Sequence, residues 1–475
     1  MPTPLLILLS SAAQAAPLSL DQAVVEALRN NPDLQGAQLA TAQAEQQLAV
    51  AKASSEPALG VSGGYNSADS AGFIAGTAYD ATSTRLSSGL SVGGNVAASG
   101  TSWSLYSNLE GNETQTVSDL TGDTLQSTWQ AETGVELSQD VLAPFRRSAE
   151  RQAQLEALDN LTVTQIQSRQ QEQEALAQVA EAWWSWAVTS RSVELAEQEL
   201  ARAKELERVS VLWSEEGMVS ASELGQTRLA RLQAQQSLLD AQNAEQQAAD
   251  TLLLLIGHDP GEAIEVAGDG ALRGHLAEAG MDELMEGNLE LAALRAQAEA
   301  QGRQVDFAES DRLPTLDLTA SAGVASLEDN ANAALSALGT EDRLPSMSAG
   351  LELTVPLGNK AARSQLELER LILQQAELDT LSGERSVRAE VLAAARDRDQ
   401  AAQQTALALE QLQVAREVEA AEEAQLQEGN RRMDELLEAR EDRISAEQAL
   451  LEAELEQARA ELELARLAGR VDEVL

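Results

Sequence analysis

The stretch Val141-Leu142-Ala143-Pro144 returns later in the chain as Leu353-Thr354-Val355-Pro356, at an offset of 212 residues. Glu216-Gly217 returns as Glu428-Gly429 at the same offset, so 73 residues separate the proline from the glycine in both copies. Self-similarity at a fixed spacing is the signature of duplicated supersecondary units. As continuous helix, such an arm would span roughly 110 Å, which is too long for a globular domain. The repeat therefore predicts two copies of a long helical hairpin.

The duplication extends upstream of these arms at a different offset. Residues 31–34, Asn-Pro-Asp-Leu, match residues 288–291, Asn-Leu-Glu-Leu, and Pro57 matches Pro314, both at an offset of 257. The difference of 45 residues between the two offsets must lie between Pro57 and Pro144. We therefore expect a first repeat over residues 17–257 and a second over residues 277–475, joined by a connection at residues 258–276. Each repeat contains a helix, strands and a helical hairpin.

The composition favours helix for most of the chain. Apolar residues make up 43% and aromatic residues only 3%, a balance that suits Ala- and Leu-rich helical bundles better than a large α/β core. Apolar residues recur at near-heptad spacing, which indicates coiled-coil packing of the arms. The clearest series is Leu437, Ile444, Leu451, Leu455 and Leu462.

Between the helical stretches, apolar residues alternate with Ser, Thr, Gly, Glu and Asp at period two, which is typical of strands with one apolar face. Six such segments occur, marked by Leu59, Val61 and Tyr65; Leu86, Leu90, Val92 and Val96; Trp103, Leu105 and Leu109; Trp129, Ala131, Val135 and Leu137; Leu316, Leu318 and Val324; and Met347, Leu351, Leu353 and Val355. Segments of about ten residues suffice to cross a bilayer at a tilt. The alternative is a soluble sandwich with one wet face.

Six strands are too few to close a membrane β-barrel, because about eight is the practical minimum. An open edge in lipid would leave backbone groups unpaired, so we expect three protomers to share one barrel of about 18 strands. The extra 45 residues predict one additional hairpin in the first repeat. In that hairpin region, residues 97–101 suit a tight turn and residues 111–124 a longer polar loop. The predicted fold class is mainly α with a membrane β-barrel part.

The N-terminus is uncharged over its first twenty residues, and an apolar run ends in Ala13-Gln14-Ala15. This pattern predicts a cleaved signal peptide over residues 1–16. The best later apolar run, residues 252–256, is far shorter than the roughly 20 residues of a spanning helix. The chain has no cysteine, which excludes disulfides, thiolate metal sites and a lipidated N-terminal cysteine. A net charge of -44 argues against nucleic acid and anionic head groups as partners.

Together these residues resemble the TolC-type outer membrane factors across essentially the whole mature chain. The resemblance is carried by the opening residues 18–34, the strand-entry prolines Pro57 and Pro314, the post-strand prolines Pro144 and Pro356, and the two glycine turns. It implies a homotrimer in the outer membrane of a Gram-negative bacterium, with a helical tunnel in the periplasm. The implied partners are outer membrane lipid, a periplasmic adaptor (membrane fusion) protein and an inner-membrane transporter of the RND, ABC or MFS type. The transporter supplies the energy of this efflux or type I secretion system.

The resemblance also implies a gate at the periplasmic tips. Glu223, six residues after the first tip glycine, and Arg431, two after the second, occupy positions where opposite charges can latch such a tunnel. Glu435 and Glu438 would ring the closed end and favour cations. Leu426 stands where some relatives carry a tyrosine of the latch. The alternative reading of these charges is that of ordinary solvated residues on helices rich in Glu and Arg.

The tip turns are the expected adaptor-facing surface, formed by Gly217, Met218, Val219, Gly429 and Met433. Glycine also ends helices in left-handed conformation, so simple turn chemistry is a second explanation. Two tryptophans on the apolar strand faces, Trp103 and Trp129, suit an interfacial girdle. Three others on a helical arm, Trp183, Trp184 and Trp186, are expected to be packing residues.

No residue pattern supports catalysis, a cofactor or a metal. The two histidines are His258, which we expect to mark a helix end, and His275. A coiled-coil tether without transport and a periplasmic adaptor remain the alternatives to an exit duct. The substrate stays open among drugs, metal ions and proteins. The negative charge of the chain does not decide between them, because charges on the wall of a wide tunnel are screened within roughly 10 Å.

Overall fold

The computed structural model describes residues 16–74, 76–96, 99–118, 122–142, 148–216, 220–268, 280–341, 343–427 and 433–475. Its helices are α1 (Leu20–Asn30), α2 (Pro32–Ala53), α3 (Ala149–Glu215), α4 (Ala221–Leu255), α5 (Met281–Gly287), α6 (Leu289–Ser310), α7 (Ala331–Ala337), α8 (Lys360–Gln427), α9 (Met433–Leu467) and α10 (Val471–Val474). Its strands are β1 (Ala16–Leu18), β2 (Ala58–Ile74), β3 (Thr77–Val96), β4 (Thr101–Ser118), β5 (Thr124–Asp140), β6 (Ile264–Val266), β7 (Thr315–Glu328) and β8 (Leu344–Thr354). The predicted signal peptide lies outside these residues except for Ala16.

The two repeats have helices of matching length. Helices α2 and α6 each contain 22 residues, and α4 and α9 each contain 35. The long arms α3 and α8 contain 67 and 68 residues. Helices α3 and α8 end 212 residues apart, and so do α4 and α9. The duplication in the sequence is thus a duplication of helical elements.

The chain divides into two compact units. The sheet unit consists of Gln43–Thr162 and Ala296–Glu377, and it contains all six long strands. They form one antiparallel sheet in the order β2-β3-β4-β5-β7-β8, so β2 and β8 are its edges among the described residues. The extra hairpin of the first repeat, β3 and β4, lies inside this sheet between β2 and β5.

The expected polar loop at residues 111–124 is wrong. Strand β4 continues to Ser118, and β5 begins at Thr124. Asn112 pairs with Thr128 and Thr116 pairs with Thr124, so these polar residues belong to the ladder. The sequence was misleading here because most residues on both faces of β4 and β5 are polar beyond the apolar segment, and period-two alternation is then lost.

The helical unit consists of Met1–Ala42, Val163–Arg295 and Leu378–Leu475. Its main core packs α1, α3, α4 and α9 around Trp183 and Trp186, with β1 pairing in parallel with β6. Trp183, Trp184 and Trp186 are all buried, as expected for packing residues. The indole nitrogen of Trp183 donates to the carbonyl oxygen of Leu18 at 3.1 Å, which satisfies its polar atom inside the core.

Candidate functional site

The six-stranded sheet has one apolar face, and its register brings the predicted apolar residues together. Residues that are directly opposite in an antiparallel pair point to the same side of the sheet. One cross-strand row on this apolar face reads Leu59, Val92, Leu105, Val135, Ala322 and Met347. All six predicted strands are confirmed, and their apolar positions share one face.

Large side chains on this face are exposed in the single chain. Val61 is 77% exposed and Met347 is 87% exposed, and Leu59, Tyr65, Leu351 and Leu353 are also exposed. Soluble monomers rarely expose a continuous apolar surface of this extent. The face therefore requires an apolar environment, and this observation disfavours a sandwich with one wet face.

The apolar positions form a band that runs obliquely across the sheet. From the row shared by Leu59 and Met347, the band extends along β2 to Tyr65 but in the opposite direction along β8 to Leu353. Its centre shifts by about six residues, or roughly 20 Å, across five strand spacings of roughly 24 Å in total. For the band to lie parallel to the membrane plane, the strands must be tilted by roughly 40° from the membrane normal. This value matches the usual tilt of 35–45° for membrane-spanning strands.

Two tryptophans mark the two margins of this apolar band. Trp103 is opposite Leu137, and Trp129 lies eight residues from Leu137 along β5. Eight residues correspond to roughly 27 Å along the strand, or roughly 21 Å in height at the tilt given above. The Trp129 ring covers Gly111 on β4, where an added Cβ would lie 2.7 Å from the ring. This spacing is close to the apolar height of outer membrane strands, roughly 25 Å.

The opposite face of the sheet is polar. The Arg85 guanidinium pairs with Glu110 at 3.0 Å and also donates to the side chain of Asn112. The Tyr106 hydroxyl donates to Glu132 at 3.0 Å. A face of hydroxyl, amide and charged groups is suited to a water-filled lumen.

Three acids on this polar face lie side by side near the strand ends that lead to the helices. Asp140 is directly opposite Asp317, and Asp317 is directly opposite Glu352. Like charges in directly opposed positions are destabilising. The arrangement therefore costs stability, and water must solvate it.

The first predicted tip lies between α3 and α4. Gly217, Met218 and Val219 lie outside the described residues, and α4 begins two residues later at Ala221. The Ser220 amide donates to the Glu223 carboxylate at 2.7 Å, and the Glu223 amide donates to the Ser220 hydroxyl at 3.2 Å. This capping box gives Glu223 a structural role that the gate hypothesis missed. The Ser-x-x-Glu pattern at residues 220–223 is typical of a capping box and could have predicted this role from the sequence.

The second predicted tip lies between α8 and α9. Arg431 and Gly429 lie outside the described residues, so the predicted pairing of Arg431 with Glu223 stays a prediction. Met433 is the first residue of α9, and its side chain is likewise outside the described part. Glu435 and Glu438 occupy the first turns of α9, three residues apart and hence on one side of the helix.

A buried charge cluster that the sequence did not reveal lies in the helical unit. The Arg443 side chain on α9 is only 5% exposed and forms ion pairs with Glu199 of α3, Glu419 of α8 and Glu447 of its own helix. Three further arginines share these carboxylates: Arg202 with Glu199, Arg440 with Glu419, and Arg416 with Glu447. The cluster joins three long helices. Two of these pairs were visible as local patterns: Arg443 with Glu447 at i and i+4, and Glu199 with Arg202 at i and i+3.

His258 follows the end of α4, as expected. Its backbone amide donates to the carbonyl oxygen of Leu253 at 2.8 Å, and Gly257 has a φ of 78°. Its ring lies 3.0 Å from Glu262 and 3.1 Å from Glu26. The hydrogen bond to Glu262, together with the charges of both carboxylates, raises the pKa of His258 above its ordinary value. His275 lies outside the described residues.

Within the described part of the chain, no helix is both long and apolar enough to cross a membrane. The same residues contain no group of three or more His, Asp or Glu side chains placed to hold a metal ion.

The fold is that of known outer membrane channels. The crystal structure of CusC superimposes with a TM-score of 0.69 at 18% identity, covering 96% of this chain and 95% of CusC. The CmeC outer membrane channel of Campylobacter jejuni gives 0.68 at 15% identity, covering 95% of this chain and 86% of CmeC. The outer membrane protein VceC of Vibrio cholerae gives 0.67 at 16% identity, covering 95% and 96%.

The family comparison agrees with this fold. Residues 280–470, which make up almost all of the second repeat, match the family model described as outer membrane efflux protein. This match and the fold together confirm that the protein is related to the outer membrane efflux proteins, as the sequence indicated, and the family description confirms the predicted outer membrane location. No curated protein matches the chain.

Proposed function

We propose that the protein is the outer membrane exit duct of a tripartite efflux or type I secretion system. It provides a passive conduit and catalyses nothing, and an inner-membrane transporter supplies the energy. The observation that carries this proposal is the oblique apolar band, which is exposed on one face of a sheet whose other face is polar. A strand tilt of roughly 40° levels the band, which suits a sheet that spans a bilayer around a wet lumen.

The two edges of the sheet, which pair with no other strand in the described part of the chain, support a trimer. Unpaired backbone groups at β2 and β8 would be costly in lipid, so each edge requires a partner strand. Three copies of a six-stranded sheet supply 18 strands, which is within the known range of outer membrane barrels. Pairing β2 of one copy with β8 of the next satisfies every edge.

The proposed partners at the other end are a periplasmic adaptor and, through it, the transporter. The contact surface in this proposal consists of the two tip turns, with Gly217, Met218 and Val219 in one and Gly429 and Met433 in the other. CmeC is described as an outer membrane channel, and the family model is named for efflux, both of which favour this assembly.

The gate proposal assigns Glu223 and Arg431 to a latch at the tips, and Glu435 and Glu438 to a cation-favouring ring. The capping box of Glu223 is compatible with this role, because a carboxylate has two oxygen atoms and can accept further hydrogen bonds besides the one from the Ser220 amide. A latch formed by charges would weaken as ionic strength rises.

The duct is tested by single-channel recording of the purified protein in planar bilayers. Small cation-selective currents are expected. If correctly folded and membrane-inserted protein gives no current in the closed wild type and none in the gate variants, the tether without transport is the better explanation.

The latch is tested with two variants at the first tip. Glu223→Gln removes the charge but keeps an acceptor for the Ser220 amide, whereas Ser220→Ala removes the hydroxyl cap and keeps the charge. Conductance that rises in Glu223→Gln and Arg431→Ala but not in Ser220→Ala supports the latch. Conductance that rises equally in Ser220→Ala and Glu223→Gln assigns Glu223 to helix capping alone.

The acidic ring is tested by selectivity rather than by conductance. Glu435→Gln with Glu438→Gln should lower the preference for cations over anions, because the carboxylates at the constriction are lost. An unchanged reversal potential in a salt gradient would exclude the ring. Glu441→Gln, in the following turn of the same helix, is the matched control.

A further inference from the structure

Helix α7 connects β7 to β8 and packs on the apolar face of the sheet. The Ser326 hydroxyl of β7 donates to the carbonyl oxygen of Ala334 in α7 at 2.5 Å. Ser326 is directly opposite Ala131 of β5, which in turn is opposite Leu109 of β4. These three positions belong to the face that carries the apolar band, so α7 lies on that face and not on the polar one.

The helix covers a place that would otherwise be bare. Ala131 is fully buried and Ser326 is 1% exposed, although Val135 and Leu137, further along β5 on the same face, are exposed. The inner side of α7 consists of Ala334 and Ala337, both buried. Small residues on both surfaces allow the helix to approach the sheet closely.

The position of α7 coincides with one margin of the apolar band. Ser326 lies two residues beyond Val324, which is the last large apolar residue of that face along β7. Glu328 is directly opposite Trp129, the tryptophan at this margin. This margin is the one remote from the strand ends that connect to α2, α3, α6 and α8.

The composition of α7 differs from that of the chain. Residues 331–340, Ala-Asn-Ala-Ala-Leu-Ser-Ala-Leu-Gly-Thr, carry no charge in a protein whose charged fraction is 23%. Charges flank this stretch on both sides, at Glu328 and Asp329 before it and at Glu341 after it. Leu335 points away from the sheet and is 47% exposed.

We propose that α7 is a lipid-contacting helix at the outer margin of the membrane band. The Leu335 side chain inserts between the acyl chains of the outer leaflet, close to their head-group ends. Glu328, Asp329 and Glu341 remain at the level of the head groups. The inference rests on the proposed function, because it takes the apolar face as the lipid face. Lipid is favoured over a protein partner because the exposed side of α7, which consists of Asn332, Leu335 and Ser336, is small and uncharged, presents one large apolar side chain and borders the apolar face of the sheet.

The test uses the absence of native cysteine, which allows one label to be placed at a time. Leu335→Cys is labelled with a small fluorophore and reconstituted in phosphatidylcholine vesicles that carry bromine near the top or near the end of the acyl chains. Bromine quenches a fluorophore at its own depth. The Leu335 label is expected to lose more fluorescence with bromine close to the head groups than with bromine near the methyl ends of the chains.

Two matched labels keep the outcomes distinct. Leu351→Cys, in the middle of the band on β8, should be quenched most by bromine near the chain ends, and Ser348→Cys, on the polar face, should not be quenched. If the Leu351 label is not quenched, the sheet does not face lipid and the proposed function fails together with this inference. If the Leu351 label is quenched but the Leu335 label is not, the duct stands and α7 does not contact lipid. If both labels report the same depth, α7 does not mark the margin.

Discussion

The side-chain amide of Asn31 donates to the backbone carbonyl oxygen of Leu255 at 2.8 Å, and so ties the start of α2 to the end of α4. The second repeat contains the same clasp, with the amide of Asn288 donating to the carbonyl oxygen of Leu467 at 2.9 Å. Both asparagines are buried, and each also accepts a backbone N–H of the helix that it precedes. One residue thus satisfies unpaired groups at the ends of two helices.

Asn31→Ala and Asn288→Ala should each lower the free energy of unfolding by about 1–3 kcal/mol, because a buried carbonyl oxygen loses its donor. Denaturant unfolding followed by helical circular dichroism measures the change. Asn160→Ala, which removes an exposed amide bonded to Gln47, is the control and should cost under about 0.5 kcal/mol. Equal losses in all three variants would contradict the clasp.

Arg443→Met should be strongly destabilising, by about 3–5 kcal/mol, because it leaves three carboxylates without their shared buried cation. The measurement is again denaturant unfolding. Arg191→Met breaks the ion pair with Glu194, in which both side chains are 58% exposed, and should change stability by under about 1 kcal/mol. The role assigned to Arg443 would be wrong if the two variants unfolded at the same denaturant concentration.

Asp317→Asn should raise the thermal stability of the sheet, because it relieves the repulsion from both Asp140 and Glu352. The gain should be a few tenths of a kcal/mol to about 1 kcal/mol in low salt and should shrink as salt screens the charges. Thermal unfolding at two ionic strengths checks both parts. Asp123→Asn, at an exposed position before β5, is the control and should show no gain.

The ion pairs of His258 predict a pH dependence of known sign. A histidine whose pKa is raised by folding stabilises the fold fully below its unfolded pKa of about 6.5, and this stabilisation is lost as the pH rises through the folded pKa. Comparison with His258→Gln isolates the effect, since His275 is present in both proteins. The difference in melting temperature between wild type and variant should be larger near pH 6 than near pH 9, and a constant difference would exclude the linkage.

Much of this architecture was readable from the sequence. The equal spacing from Pro144 to Gly217 and from Pro356 to Gly429 predicted the paired arms, and period-two alternation predicted all six strands. The last part of β4 and the first part of β5 were missed because polar residues such as Asn112 and Thr116 pair in the ladder without an alternating pattern. The Arg443 cluster was missed because its carboxylates come from three different helices and Glu199 is 244 residues from Arg443, and single-sequence periodicity contains no information on such contacts.

Because β3 and β4 are inserted between β2 and β5, different parts of the chain set the width of the proposed conduit and its length. Helices α2, α3 and α4 match α6, α8 and α9 in length to within one residue, although only the first repeat contains this hairpin. The hairpin alone widens the sheet from four strands to six. In the proposed trimer, bore circumference is therefore specified by about 45 residues of the first repeat, and the reach of the tunnel by the duplicated remainder. Evolution could alter the calibre of such a duct without changing its depth.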